Sequence, residues 1–190
     1  MKIGLFFGSF NPIHIGHLII ANYVLNESDL EKIWLIISPL NPFKTDKSLL
    51  DKNARLILAK AAVRRDKRIM ASDIEFHLSK PSFTINTLSY LKKNHPDNEF
   101  SIIMGSDSFQ NLQEWKDFES IINNYKILIY RRPGFEIENS INAEIEIMSA
   151  PQLNISSTEI RQLTRQGKSI RYLVPEKVRK EIERNQYYKR

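Results

Sequence analysis

The apolar run Ile3-Gly4-Leu5-Phe6-Phe7 stops at Gly8-Ser9-Phe10-Asn11-Pro12, and an apolar-rich segment, Leu18 to Leu25, follows. A run this short and this uniformly apolar reads as a strand buried on both faces, the pattern of a parallel sheet. The segment after it reads as a helix, so the chain opens as strand, small-residue turn, helix. Such a turn leaves backbone N–H groups pointing outward, and the helix start adds the positive end of its dipole. His14 and His17 stand three residues apart just beyond the turn. If the helix has begun there, both imidazoles lie on one face of its first turn. Hydrogen-bond donors beside a ring of open amides suit a polyphosphate.

The same alternation continues. Lys32–Ser38, Ile69–Ile74, Phe100–Met104, Lys126–Tyr130 and Glu144–Met148 read as further strands. Helical patterns fall between them: Asp51–Arg65 with Asp51 as its N-cap, Thr84 to about Lys93, and Asp117–Asn123. Ser156 or Ser157 caps another helix through Thr164, and Pro175 opens a last one to about Arg184. Leu40-Asn41-Pro42-Phe43-Lys44 is a loop, since proline cannot sit in a central strand. Strands joined by helical crossovers predict an α/β fold: a Rossmann-like single domain over 1–190, with a parallel sheet covered by helices on both faces. A chain of 190 residues buries one good core and is short for two.

Cysteine is absent, which excludes disulfides and thiolate metal sites and fits a reducing interior. The N-terminal apolar run is too short for a signal peptide, and nothing approaches a membrane span. These features predict a cytoplasmic protein with no membrane partner. The net charge of +6, from 28 Lys and Arg against 22 acids, fits a basic cleft for a small anion. No basic run is interleaved with aromatics, so nucleic acid is not the expected partner. The tail Tyr187-Tyr188-Lys189-Arg190 reads as a solvated terminus. Homo-oligomer formation is left open.

A glycine turn or one histidine alone is as readily a packing feature. No Gly-Lys-Ser/Thr follows the turn, and it is not a GxGxxG fingerprint. Far downstream, Ile155-Ser156-Ser157-Thr158-Glu159-Ile160-Arg161 has the form of a capping box. It also has the form of a phosphate cradle, with open amides and hydroxyls at Ser157 and Thr158 and the guanidinium of Arg161 one turn on.

Together, GSFNPIHIGH and ISSTEIR, about 140 residues apart, resemble the two signatures of the nucleotidyltransferase superfamily, whose members transfer adenylyl or cytidylyl groups and release pyrophosphate. Further matches resemble its bacterial nicotinate-nucleotide adenylyltransferases: Asn41-Pro42-Phe43-Lys44, Pro81-Ser82-Phe83-Thr84, Gly105-Ser106-Asp107-Ser108, Leu112-Gln113-Glu114-Trp115, Arg131-Arg132-Pro133-Gly134 and Tyr172-Leu173-Val174-Pro175. The likeness spans nearly the whole chain. It departs at Phe43, where the family usually has His, and at Lys116, where an aromatic often follows the Trp.

The resemblance implies transfer of the adenylyl group of ATP to nicotinate mononucleotide, giving deamido-NAD and pyrophosphate. It implies His14, His17, Lys44 and Arg161 as catalytic residues. Gly8, Ser9, Phe10, His17, Gly105, Asp107, Ser156, Ser157, Thr158 and Arg161 are implied for ATP. Asn11, Lys44, Thr84, Trp115 and Arg132 are implied for nicotinate mononucleotide, with the indole stacking on the charged pyridinium ring. Mg²⁺ is expected to arrive with ATP, because no dense carboxylate cluster is present to cage it. For Asp107 and Thr84 the residues alone allow a helix cap, for Trp115 a core anchor, and for Lys44 a solvated loop lysine. Nicotinamide mononucleotide and phosphopantetheine are alternative acceptors. The Pro-Ser-Phe-Thr segment and Asp107 with Trp115 argue against phosphopantetheine, and intact His14, His17 and Arg161 argue against a regulator without turnover.

Overall fold

The computed structural model describes residues 1–39 and 49–189. Six strands form one sheet in the order β3-β2-β1-β4-β5-β6, every neighbouring pair parallel. They are β1 (Lys2–Gly8), β2 (Lys32–Ile37), β3 (Ile69–Ser72), β4 (Glu99–Gly105), β5 (Ile127–Tyr130) and β6 (Ile145–Met148). The helices are α1 (Ile15–Glu27), α2 (Lys52–Val63), α3 (Thr84–Asn94), α4 (Ser106–Gln110), α5 (Phe118–Asn124), α6 (Ser157–Arg165) and α7 (Glu176–Arg184).

Period-two alternation divides the core. Phe6, Leu35, Ile37, Ile103, Leu128 and Tyr130 face α1, α2, α6 and α7, where they meet Val24, Leu58, Ile160 and Val178. Leu5, Ile36, Ile102, Met104, Ile127 and Ile129 face the other way, onto Leu88 and Leu91 of α3, Phe109 of α4 and Ile121 of α5. Both faces are covered, which is why these strands read as continuous apolar runs.

Strand order reverses between β1 and β4: the chain first winds outward through β2 and β3, then returns to β4 on the other side of β1. Loops leaving the carboxyl ends of β1 and β4 therefore part in opposite directions and open a crevice, where open α/β sheets bind ligands.

Asp51 caps α2 as expected, its carboxylate accepting from the N–H groups of Asn53 and Ala54. Some boundaries differ. The run Ile69–Ile74 is strand only to Ser72, and Ile74–His77 is a 3₁₀ turn. Asp117 precedes α5 in a left-handed conformation (φ 54°) and makes no side-chain cap. The short helix α4 and a 3₁₀ turn at Leu112–Glu114 carry too few residues to show a helical period. No helix among the described residues is long and apolar enough to cross a membrane. The loop expected at Leu40–Lys44 lies outside the described residues, and Lys44 with it.

Candidate active site

The turn after β1 is gripped from both sides. Gly8 ends the strand, and its carbonyl accepts from the N–H of Ser38 at 2.9 Å. The Ser9 carbonyl accepts from Arg55 Nη1 at 2.6 Å. Phe10 takes a left-handed backbone (φ 45°), costly for a bulky residue, while its buried ring packs edge-on against Phe6 and His17. What Phe10 offers a ligand is therefore backbone, because its ring belongs to the core.

The second motif closes on this turn. Arg161 Nη1 donates to the Asn11 carbonyl at 2.9 Å, and Ser157 Oγ donates to the Pro12 carbonyl at 2.9 Å. Ser156 is the N-cap of α6, accepting from the Glu159 N–H at 3.1 Å. Thr158 Oγ1 accepts from Arg161 Nη2 at 3.4 Å. The three hydroxyls and part of the guanidinium fork thus organise the protein itself. The first amides of α6, which have no intrahelical acceptor, are what this element presents outward. The starts of α1 and α6 meet at Asn11–Pro12, so two positive dipole ends converge there.

His14 is the N-cap of α1 in extended conformation, and His17 occupies the third helical position. The expectation that both imidazoles share one face is met in a specific form: the rings stack, centroids 3.7 Å apart and planes 27° apart. His17 Nδ1 accepts the His14 backbone N–H at 3.3 Å. An accepting Nδ1 leaves the proton of a neutral imidazole on Nε2, which makes that atom the donor. Gly16 leaves room for the His14 ring, since a Cβ there would stand 3.0 Å from His14 Nδ1 and the ring would have to shift by a few tenths of an ångström. That nitrogen is buried and makes no hydrogen bond among the described residues. Burial, with a smaller contribution from the Arg132 charge, holds the His14 imidazole down at about 4, so it is neutral near pH 7.

Across the crevice, Gly105 ends β4 and Asp107 sits in the first turn of α4. Asp107 does not cap this helix; its Oδ1 pairs with Arg132 Nε at 3.3 Å. A Cβ at Gly105 would strike both Asp107 Oδ1 and Arg132 Nε, so glycine is what lets this pair close over the strand end. Arg132 is held further by its N–H on Ser106 Oγ (2.9 Å) and by Nη2 on the Tyr130 hydroxyl (3.2 Å). The family resemblance assigned Asp107 and Arg132 to different substrates, and the structure brings them together.

Thr84 is the first residue of α3 and is half-buried. Trp115 is half-buried too and packs against the apolar face beneath it. The two segments touch where Lys116 Nζ lies 4.8 Å above the Phe83 ring. Lys116, the departure from the usual family residue, is thus placed by Phe83.

Comparison with known proteins agrees with this architecture. Residues 5–163 match the cytidylyltransferase-like family model. A probable nicotinate-nucleotide adenylyltransferase of Cytophaga hutchinsonii is 45% identical over 99% of this chain and 98% of its own length. One from Flavobacterium johnsoniae is 44% identical over the full length of both. The chain belongs to the nicotinate-nucleotide adenylyltransferase family. In fold it also resembles the Plasmodium falciparum nicotinic acid mononucleotide adenylyltransferase complexed with NaAD, with a TM-score of 0.83 and 24% identity over 98% of this chain and 97% of that one.

Relative to the residues the family resemblance singles out, two more side chains shape this site. Arg55 is fully buried and donates to four carbonyls: Ser9 and Ser38 through Nη1, Pro39 through Nη2 and Leu50 through Nε. It ties the β1 turn to the ends of the segment that carries Lys44. Asn11 was expected to bind nicotinate mononucleotide, yet it is buried, and its Oδ1 accepts from the Leu50 N–H and the Tyr188 hydroxyl. Tyr188 is buried as well, so the tail expected to be solvated packs into the core at this residue. Neither residue type signals such a role in sequence, because an arginine in a helical pattern reads as solvent-facing.

Proposed function

We propose that this chain transfers the adenylyl group of ATP to nicotinate mononucleotide, working as a single nucleotidyltransferase domain. The 5′-phosphate oxygen of the mononucleotide attacks the α-phosphorus of ATP in line. The bond from that phosphorus to the bridging oxygen breaks, pyrophosphate leaves, and deamido-NAD is formed. The observation that carries this reading is the junction of Arg161 with Asn11 and of Ser157 with Pro12. It unites the two phosphate motifs at the crevice where strand order reverses.

The attacking phosphate is already anionic at neutral pH, so no strong base is needed. What the reaction needs is alignment and relief of charge building on the α-phosphoryl group and the leaving pyrophosphate. In this reading His17 donates from Nε2 to a phosphoryl oxygen, with the neutral His14 ring stacked behind it. The amides of Gly8 to Phe10 and the start of α6 surround the triphosphate, and Arg161 holds the two turns in register while adding positive charge. Lys44 keeps the phosphate-neutralising role the resemblance implies.

The Asp107–Arg132 pair lies at the β4 end of the crevice, suited to a ribose hydroxyl on the carboxylate and a phosphate on the guanidinium. Thr84 and the first amides of α3 suit the nicotinate carboxylate, and Trp115 its ring. Among the described residues no group of three or more His, Cys, Asp or Glu is placed to hold a metal. In this reading Mg²⁺ arrives as part of the MgATP substrate, as the family resemblance implies. Both substrates are intracellular anions and the chain has no cysteine, which supports a cytoplasmic reaction.

The test is ATP-dependent pyrophosphate release by the purified protein, run in parallel with nicotinate mononucleotide, nicotinamide mononucleotide and phosphopantetheine. The expected result is fastest turnover with nicotinate mononucleotide. Faster turnover with phosphopantetheine, or none with any acceptor, overturns the reading.

A further inference from the structure

We propose that Tyr188 is a positioning residue whose hydroxyl, acting through Asn11, holds the phosphate-binding turn in its working shape. The inference rests on the turn having the role given above. After α7 the backbone turns sharply: the Gln186 and Tyr187 N–H groups bond back to Glu183 and Ile182, and Gln186 and Tyr188 both adopt positive φ (56° and 64°). This drives the Tyr188 ring into the hydrophobic core that also holds Phe6, Phe10 and Ile13. Its hydroxyl donates to Asn11 Oδ1 at 2.9 Å, across 177 residues.

Asn11 is a junction. Its side-chain oxygen takes the Tyr188 hydroxyl and the Leu50 N–H, while its main-chain oxygen takes Arg161 Nη1. The side chain and the main chain of one residue are thus pinned by segments far apart in sequence. Three residues further on stands His14, and six on stands His17. A buried hydroxyl that fixes the Asn11 carboxamide fixes the direction of the Asn11 carbonyl, and through it the guanidinium of Arg161. The phenol is held in its neutral, donating form by burial, which raises it well above the usual tyrosine range. The device is local in effect and distant in sequence.

The experiment compares Tyr188→Phe, Asn11→Ala, the double variant and Tyr187→Phe with the wild-type full chain. Pyrophosphate release and hydrogen exchange of the amides of residues 9–17 are both measured. Tyr188→Phe keeps the ring in the core and removes only the donor. Its kcat is expected to fall about tenfold with both KM values within about threefold, because a misaligned turn binds substrate but presents it poorly. Exchange at residues 9–17 is expected to quicken, Tyr187→Phe to match wild type, and Tyr188→Phe to add no further loss in the Asn11→Ala background. A kcat for Tyr188→Phe within twofold of wild type, or losses that simply add in the double variant, overturns the proposal. If the wild type releases no pyrophosphate, the functional reading fails, and the exchange data alone decide the latch: unchanged exchange in Tyr188→Phe overturns it.

Discussion

The guanidinium of Arg161 and the carbonyl of Asn11 meet at 2.9 Å across 150 residues of sequence. This bond joins the two segments of the chain that carry phosphate-binding chemistry in their sequence pattern, and it does so out of water, since both residues are buried. A charged donor on a buried carbonyl is among the stronger hydrogen bonds a protein makes. Arg161 holds the Asn11 turn, and in the proposed reaction it has a second task, supplying charge to the crevice.

Replacing Arg161 by Lys separates these tasks poorly, because an ammonium cannot span the carbonyl and Thr158 as a planar fork does. Arg161→Lys is expected to lose about 100-fold or more in kcat/KM for ATP. It is also expected to lose about 1–3 kcal/mol of stability, as the Asn11 carbonyl loses its donor in a buried site. Steady-state pyrophosphate release and urea unfolding measure the two effects. Wild-type turnover in this variant would show that the fork has no part in the reaction.

His17 presents the clearer catalytic case. Its Nδ1 is committed to the His14 N–H, so the donating atom of the neutral ring is Nε2. His17→Ala is expected to lower turnover by about 10²–10⁴-fold, the range for removing one positioned donor to a developing charge. The thermal midpoint should move little, since the ring is only half-buried. A near-wild-type rate refutes the assigned role.

Gly16 gives a subtler probe of the same pair. A methyl group at this position would press on His14 Nδ1 and Cε1 at 3.0 and 3.1 Å, tighter than ordinary packing allows. Gly16→Ala replaces a glycine inside a helix, which on propensity alone should gain about 0.5–1 kcal/mol. The expected outcome is a variant whose stability is little changed while kcat drops by about tenfold or more, because the stacked rings shift. Equal activity in Gly16→Ala and wild type would show that the stacking does not matter to turnover.

The sheet, its two covered faces and both phosphate motifs were legible because each rests on local pattern. Uniform apolar runs mark strands such as Lys32–Ile37, and Asp51 and Ser156 announce helix starts by direct capping chemistry. The supports of the site were not legible. Arg55 reaches Ser9 across 46 residues and Tyr188 reaches Asn11 across 177, and nothing in the flanking residues encodes either partner. The Asp107–Arg132 pair was missed for the same reason, since each residue has a sufficient local explanation of its own. The hydroxyls of ISSTEIR read in sequence as facing phosphate, and in the structure each already has a partner within the protein: Ser156 caps α6, Ser157 donates to Pro12 and Thr158 accepts from Arg161.

The depressed His14 pKa makes stability pH-dependent in a defined window. In the unfolded chain the imidazole titrates near 6.5, and in the folded chain near 4. The folded state favours the neutral ring, so this contribution is fully present above pH 6.5 and is lost as pH falls toward 4. The whole loss amounts to about 3 kcal/mol at most. Urea unfolding of wild type and His14→Gln from pH 7 to pH 4 isolates the effect. The difference in stability between the two proteins should change across this window, in the direction of wild type losing ground as the medium acidifies. Parallel curves would show that His14 is not held neutral.

Glu75 gives the opposite sign. It is buried between the end of β3 and α3, its Oε1 accepting from the Thr87 hydroxyl at 3.1 Å, with the Ser82 and Ser38 hydroxyls also facing the carboxyl. Burial raises its pKa above 4.5, and the hydrogen bonds offset only part of that rise. A carboxyl whose folded pKa is raised contributes stability at low pH and loses it as pH climbs through the folded value. Ionised Glu75 is therefore a cost at neutral pH. Glu75→Gln keeps the shape and an oxygen for Thr87 while removing the charge, so it should unfold at higher urea than wild type at pH 8, with the gap narrowing toward pH 4. Because Thr87 and Ser82 flank the start of α3, the same variant also tests the acceptor side. A KM for nicotinate mononucleotide that rises while the KM for ATP stays constant is the result expected if this carboxyl sets the position of α3. Equal stability of the two proteins at every pH would mean that the carboxyl is not desolvated at all.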